Sequence, residues 1–219
     1  MSKHGPAVAQ QEIFPPMLMR TSCGAVKFDV RLLAVMTLDG RVQCAEDARI
    51  KCAATAYANA DTTAQSCVTN QHLQETLHGT RRWLKHNVMC LRSAKHCTED
   101  SQGRAGMDGE ALYHNAVRVL KGTLEMIFQE PDVHRLVVRH IRAGEFGMGV
   151  FGADIGFDAT GRAWIIEINK QPMPFRSPKS SARLYEKLDR WLADAVLNHC
   201  VYVQNAVSIV NGQDQQINE

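Results

Sequence analysis

Polar and apolar residues alternate with a period of two from Lys27 to Arg31, inside a strong strand signal from Val26 to Thr37, and Phe151 to Phe157 alternates likewise, which predicts strands at both places. Leu38-Asp39-Gly40 reads as a turn, with Arg41 to Glu46 returning. Asp158-Ala159-Thr160-Gly161 is turn chemistry again, followed by an apolar strand from Arg162 to Asn169. Residues 7–19, AVAQQEIFPPMLM, read as a short strand ended by Pro15-Pro16, and Thr21 to Gly24 as a loop. Helical spacing begins after Asp108, with Leu112, Ala116, Val119, Leu120, Leu124 and Ile127 on one face and Pro131 as the stop. Val133 to Ile141 fits helix and strand equally. A last helix is expected over 181–200, burying Leu184, Leu188, Trp191, Leu192, Ala195 and Val196. Residues 58–72 are polar and irregular, 71–91 hold helical turns, and 98–109 (TEDSQGRAGMDG) form a flexible loop. The elements predict an α+β fold, an antiparallel sheet with flanking helices.

Composition narrows the picture modestly. At 219 residues the chain accommodates one domain with a sizeable core. Lys and Arg number 25 against 23 Asp and Glu, a formal net charge of +2, so global charge names no partner. Basic residues are dispersed rather than gathered with aromatics on one face, which argues against a nucleic-acid partner. No apolar run approaches a membrane span, and the first residues, MSKHGPAVAQQ, lack the apolar core of a secretory signal. Seven cysteines without a CxxC spacing suit reduced thiols and a cytoplasmic setting. His86, Cys90, His96 and Cys97 cluster, but their spacing is not that of a zinc site, and the segment reads as a polar connection.

Chemistry concentrates at 151–169, FGADIGFDATGRAWIIEIN. Glu167 and Asn169 are two apart and leave the same face of their strand. With Thr160-Gly161 as a two-residue turn, the ungapped register sets Asp154 opposite Glu167. Two carboxylates and an amide oxygen at one sheet end suit Mg²⁺, which takes few protein ligands beside nucleotide phosphates. The plainer reading is a hairpin with a solvated or salt-bridged acid on each arm, although Ile165, Ile166 and Ile168 surround Glu167.

A second constellation lies at 27–31. Period-two geometry sends Lys27, Asp29 and Arg31 to one face and Phe28, Val30 and Leu32 to the other. Such a row is either a solvated sheet face or a charged floor under a nucleotide, its cations neutralising phosphate oxygens and Asp29 holding a hydroxyl or a cation.

Together these pieces resemble the tubulin–tyrosine ligase-like family of the ATP-grasp superfamily. KFDVR at 27–31 is similar to that family's K-F-D-[ILV]-R strand. FGAD at 151–154 with IIEIN at 165–169 is similar to its F-G-x-D and [LI]-[LI]-E-[VI]-N pair. Val68-Thr69-Asn70 stands where the family has H-L-T-N, and VAQQEIFPPML at 8–18 resembles its V-x-Q-K-Y-I-x-x-P-L-L hinge. The resemblance runs from about residue 8 to 200, one partial domain of an ATP-grasp-like sheet within 1–219, with 201–219 as a tail.

The resemblance implies Asp154, Glu167 and Asn169 as Mg²⁺ ligands, Lys27 and Asp29 as nucleotide contacts, and Arg31 at the transferring phosphate. Gln10 and the backbone of Gln11 to Ile13 would face adenine, and Thr69 and Asn70 would lie near the phosphates or the acceptor. The chain departs from the pattern at Gln11, usually Lys, and at Glu12, usually aromatic. The family's E-G-x-x-R appears as Glu46 to Lys51 with a one-residue shift, which makes Lys51 the match for its arginine. Lys170-Gln171-Pro172 replaces the small residues common after Asn169. The lobe that precedes the hinge in ATP-grasp enzymes is expected to be missing.

The implied reaction is ATP-dependent amide formation. An acceptor carboxylate attacks the γ-phosphate, giving an acyl phosphate, and the amine of Tyr, Glu or Gly displaces phosphate. The implied acceptor is the acidic C-terminal tail of tubulin, which implies a cytoplasmic, microtubule-associated protein. ARLYEKLDRWLADAV resembles the K-L-Y-x-x-L segment of the tyrosine-adding branch. The alternative is a module of the same fold that binds nucleotide or tubulin without ligating.

Overall fold

The structure, a computed structural model, describes residues 12–21, 24–37, 39–58, 69, 90–94, 98–100, 102–142, 147–170 and 190–195. The strands are β1 (Leu18–Thr21), β2 (Gly24–Thr37), β3 (Val42–Cys44), β4 (Arg49–Cys52), β5 (Thr98–Glu99), β6 (Met148–Phe157) and β7 (Ala163–Lys170). A 3-10 turn at Leu91–Ser93 precedes β5, and α1 (Gly109–Gln129) and α2 (Pro131–Arg142) lie between β5 and β6. All seven strands join one sheet in the order β5-β1-β2-β6-β7, with β3 and β4 also on β2, and every pairing is antiparallel. The expected α+β class and its antiparallel sheet are present.

β2 is the spine, and its alternation divides the molecule. Phe28, Val30, Leu32 and Ala34 point to the main core, where they meet Ile155 and Phe157 of β6 and Leu112, Ala116, Leu120 and Leu124 of α1. Those four α1 residues are nearly inaccessible, as the helical spacing predicts, whereas Ile127 is exposed. On the opposite face the strand changes character along its length. Leu33 and Val35 are covered by Trp191 and Ala195 of the helical stretch 190–195. Lys27, Asp29 and Arg31 occupy the other half of that face.

Several boundaries differ from the sequence reading. The strand expected within 7–19 does not end at Pro15-Pro16; β1 starts after them at Leu18, and residues 7–11 lie outside the described residues. Prolines lack the N–H that a ladder needs, so here they precede the strand. Pro16 still bridges Asp158, and the Met17 N–H bonds the Phe157 carbonyl at 3.0 Å, tying this segment to the hairpin. Pro131 ends α1 but is also the first residue of α2, a position where its missing N–H costs no helical bond. Val133 to Ile141 is therefore helix. Within 98–109, Thr98–Glu99 is a strand on β1, not loop. Asp100 accepts from the Gln102 and Arg104 amides and Thr98 Oγ1 donates to the Met107 carbonyl, so side chains fix the turn that glycine content made look free. Asp108 does cap α1, accepting from the Glu110 amide. No helix among the described residues is long and apolar enough to cross a membrane.

Candidate functional site

The site is built by register. Asp29 lies opposite Lys51, and Arg31 opposite both Arg49 and Asp154, so β4, β2 and β6 bring their polar side chains onto one face. Asp154 lies opposite Glu167, as expected, but by a different route. The hairpin turn is not the two-residue Thr160-Gly161. Gly161 N–H bonds the Asp158 carbonyl at 2.8 Å, and Asp158 N–H bonds the Arg162 carbonyl at 3.1 Å, which closes a three-residue loop. Gly161 takes φ +81° there, the left-handed residue that such loops require. A β-bulge between Asp154 and Ile155 then skips Ile166 and restores the Asp154–Glu167 pair. The extra residue in the turn and the extra residue in β7 offset each other.

Charges on this face are closely paired. Arg31 donates through Nε to Asp154 Oδ1 and through Nη2 to Oδ2 at 2.8 Å, a two-pronged contact, and its Nη2 is 4.0 Å from Glu167 Oε1. Lys51 Nζ is 2.8 Å from Asp29 Oδ1 and 3.0 Å from Asp154 Oδ2. Thr69 Oγ1 donates to Asp29 Oδ2. Asn169 Nδ2 donates to Glu167 Oε1 at 2.6 Å, which places both on one face. Asp29 and Asp154 are buried, whereas the Glu167 side chain is 56% exposed.

Burial acts on both buried aspartates, with opposite results. Desolvation pushes the Asp29 carboxyl above its ordinary value, although Lys51 and Thr69 pull the other way. Burial also opposes ionisation of Asp154, but the hydrogen bonds and charge of Arg31, together with Lys51, hold it below its ordinary value. Asp29 Oδ1 is cut off from solvent, and the Lys51 ammonium at 2.8 Å is its partner.

Beside these charges a cavity of about 270 Å³ is lined by Glu12, Ile13, Lys27, Asp29, Thr69 and Ile166, with Pro16, Phe28, Gly156 and Phe157 completing it. One wall is apolar and the other charged, the usual make-up of a small-molecule site. A Cβ at Gly156 would lie 2.8 Å from Ile13 Cδ1, so the end of the Ile13 side chain would have to shift to admit it. The bulge supplies Ile166 to this apolar wall while leaving Glu167 beside Asp154.

The family profile described as Tubulin-tyrosine ligase family matches residues 1–209 of the chain. The chain belongs to the tubulin-tyrosine ligase family. A comparison with curated proteins returns no match. Enzymes of the tubulin-tyrosine ligase family are in general ATP-dependent ligases, and membership suggests a ligase function directed at protein carboxylates.

The residue types suit the Mg²⁺ that the family resemblance implies, although Arg31 and Lys51 already engage both Asp154 oxygens and the Asn169 amide donates to Glu167. Asp154, Glu167 and Asn169 offer hard oxygens in the small number this ion takes from protein. Among the described residues no three His, Cys, Asp or Glu side chains form a group that could hold a metal ion. Of the nucleotide contacts expected from sequence, Ile13, Lys27, Asp29 and Thr69 line the cavity; Gln10, Gln11 and Asn70 lie outside the described residues. Arg31 and Lys51, expected at the transferring phosphate, meet on Asp154. Two features were missed. Arg49 shares the face of Lys51, which the two-residue spacing on β4 already encodes. The role of Ile166 depends on a bulge that no residue pattern announces.

Proposed function

We propose that this protein is an ATP-grasp ligase that uses ATP and Mg²⁺ to join an amino acid, Tyr, Glu or Gly, to a carboxylate on the acidic tail of tubulin. The cavity holds the nucleotide. Ile13 and Ile166 face its base, and Lys27, Asp29 and Thr69 face its sugar and phosphates. Asp154, Glu167 and Asn169 would hold Mg²⁺, which would supply charge neutralisation to the phosphate oxygens. Arg31 and Lys51 stabilise charge on the transferring phosphoryl group as the acceptor carboxylate attacks it to give an acyl phosphate and ADP. The amine of the incoming amino acid then displaces phosphate, forming the amide. Little covalent work falls to the protein; its contribution is alignment and charge. The acceptor places the protein in the cytoplasm on microtubules.

The observation that carries this reading is the Arg31–Asp154–Lys51–Asp29 chain of charges lying next to Glu167, whose Asp29 end lines the cavity together with Lys27 and Thr69. Lys27, a cation fixed at the cavity wall, suits an anionic ligand. The full saturation of Asp154 by Arg31 and Lys51 favours the second reading, a module that binds nucleotide or tubulin without ligating. Thermal shift with ATP decides whether the metal site operates. Wild type is expected to be stabilised by ATP only with Mg²⁺, and Glu167→Gln to lose most of that shift. No shift in either removes the nucleotide site. Transfer of labelled Tyr, Glu or Gly to tubulin by the full-length protein then separates ligase from binding module, and the absence of transfer despite ATP binding leaves the module.

A further inference from the structure

Lys27 begins the charged row on β2, and its partner differs in kind from those further along. Arg31 and Lys51 are matched by Asp154 and Asp29, carboxylates fixed on strands and largely buried. Lys27 Nζ is matched by Glu12 Oε1 at 2.6 Å, from the irregular segment before β1. The Lys27 side chain is 14% exposed and the ammonium lies 4.9 Å from the centre of the Tyr57 ring. The Glu12 side chain is 62% exposed. One partner is therefore held in place and the other is free to leave. Both line the same cavity, so the pair sits inside the space a ligand must enter.

We infer that Glu12 is a built-in competitor for the anionic part of the ligand, setting how tightly the cavity holds a nucleoside polyphosphate. This deepens the nucleotide reading above and rests on it. An ammonium has three donors, so the contest is one of charge rather than of hydrogen-bond count. A carboxylate on Lys27 cancels its attraction for phosphate and repels the phosphate itself. Glu12 must swing toward solvent, or be neutralised, before Lys27 acts at full strength. An uncharged ligand of the same shape meets no such opposition.

The test is titration calorimetry of the whole chain with ATP, ADP and adenosine in the presence of Mg²⁺. Wild type is compared with Glu12→Gln, Lys27→Met and the double variant. Glu12→Gln is expected to tighten ATP about two- to fivefold, the range an exposed ion pair commands. The gain should shrink at high salt, where exposed charges are screened. Adenosine affinity should not change, and the gain should vanish in the Lys27→Met background. Unchanged or weaker ATP binding by Glu12→Gln overturns the inference while leaving the nucleotide site standing. An equal gain for adenosine, or a gain that survives loss of Lys27, overturns it too. If neither wild type nor Glu12→Gln binds any nucleotide, both the inference and the reading beneath it fall. Glu12 is exposed, so its substitution leaves the fold intact.

Discussion

Lys51 stands between Asp29 and Asp154, its ammonium 2.8 Å and 3.0 Å from one oxygen of each. Removing one member of a buried ion pair costs about 3–5 kcal/mol, because the partner is left charged and dry. Lys51→Met should lose stability of that order at pH 8. Asp29 already has a raised pKa through burial, so its protonated form favours the folded state. Its destabilising charge therefore disappears as pH falls through that raised value, and without Lys51 the value rises further. Urea denaturation should show the Lys51→Met deficit shrinking as pH is lowered through the raised Asp29 value. A deficit that does not change with pH would mean that Asp29 is not the group left unpaired. Individual residues were readable in the sequence where period two applies: Lys27, Asp29 and Arg31 share a face because strands alternate. What could not be read was which charge pairs with which, since that depends on β4 and β6 arriving at β2 in one register.

At the level of elements, the β6–β7 hairpin shows how far turn chemistry carries. Asp158 and Gly161 announced a turn, and a turn is there, but a three-residue loop and a two-residue loop use the same residue types. The expected pairing of Asp154 with Glu167 came out right because a bulge at Ile166 compensates for the longer loop. Gly161 is the position that loop cannot spare. Alanine at its φ of +81° carries a left-handed penalty of about 1–2 kcal/mol. A Cβ there would also press on the Met107 side chain at 2.7 Å. Gly161→Ala should lower Tm by roughly 2–4 °C for each kcal/mol lost. The drop should exceed that of Gly103→Ala, where φ is also positive but the space is open. Equal drops would mean that Met107 gives way freely. Helix α1 was the most legible element, because Leu112, Ala116, Leu120 and Leu124 repeat on one face and Asp108 supplies the cap. The irregular segment around Pro15-Pro16 was the least, since proline marks a boundary without saying on which side the strand lies.

For the whole molecule, the charged groups set two opposing pH responses. Asp39, Asp154 and Asp158 are held below their ordinary value of 3.8: burial opposes this in each, but hydrogen bonds prevail, joined by nearby cations at Asp39 and Asp154. Their stabilisation is present above that value and is lost as pH falls through the lower folded-state values. Asp29 acts in the other direction, its burden relieved as pH falls through its raised value. Stability should therefore peak on the acid side of neutrality and drop steeply below about pH 3.8. Chemical denaturation across pH checks the profile, and Asp29→Asn should flatten the acid-side rise while leaving the steep drop.

β2 carries the buried apolar row on one side and the charged row on the other, and it pairs with β1, β3, β4 and β6. A strand gripped on so many sides has no low-energy way to detach alone. The amides from Val30 to Leu33 should then exchange their hydrogens only when the entire domain opens. Any breathing that lets a ligand in or out must be sought in the peripheral segments, Glu12 to Met17 first among them.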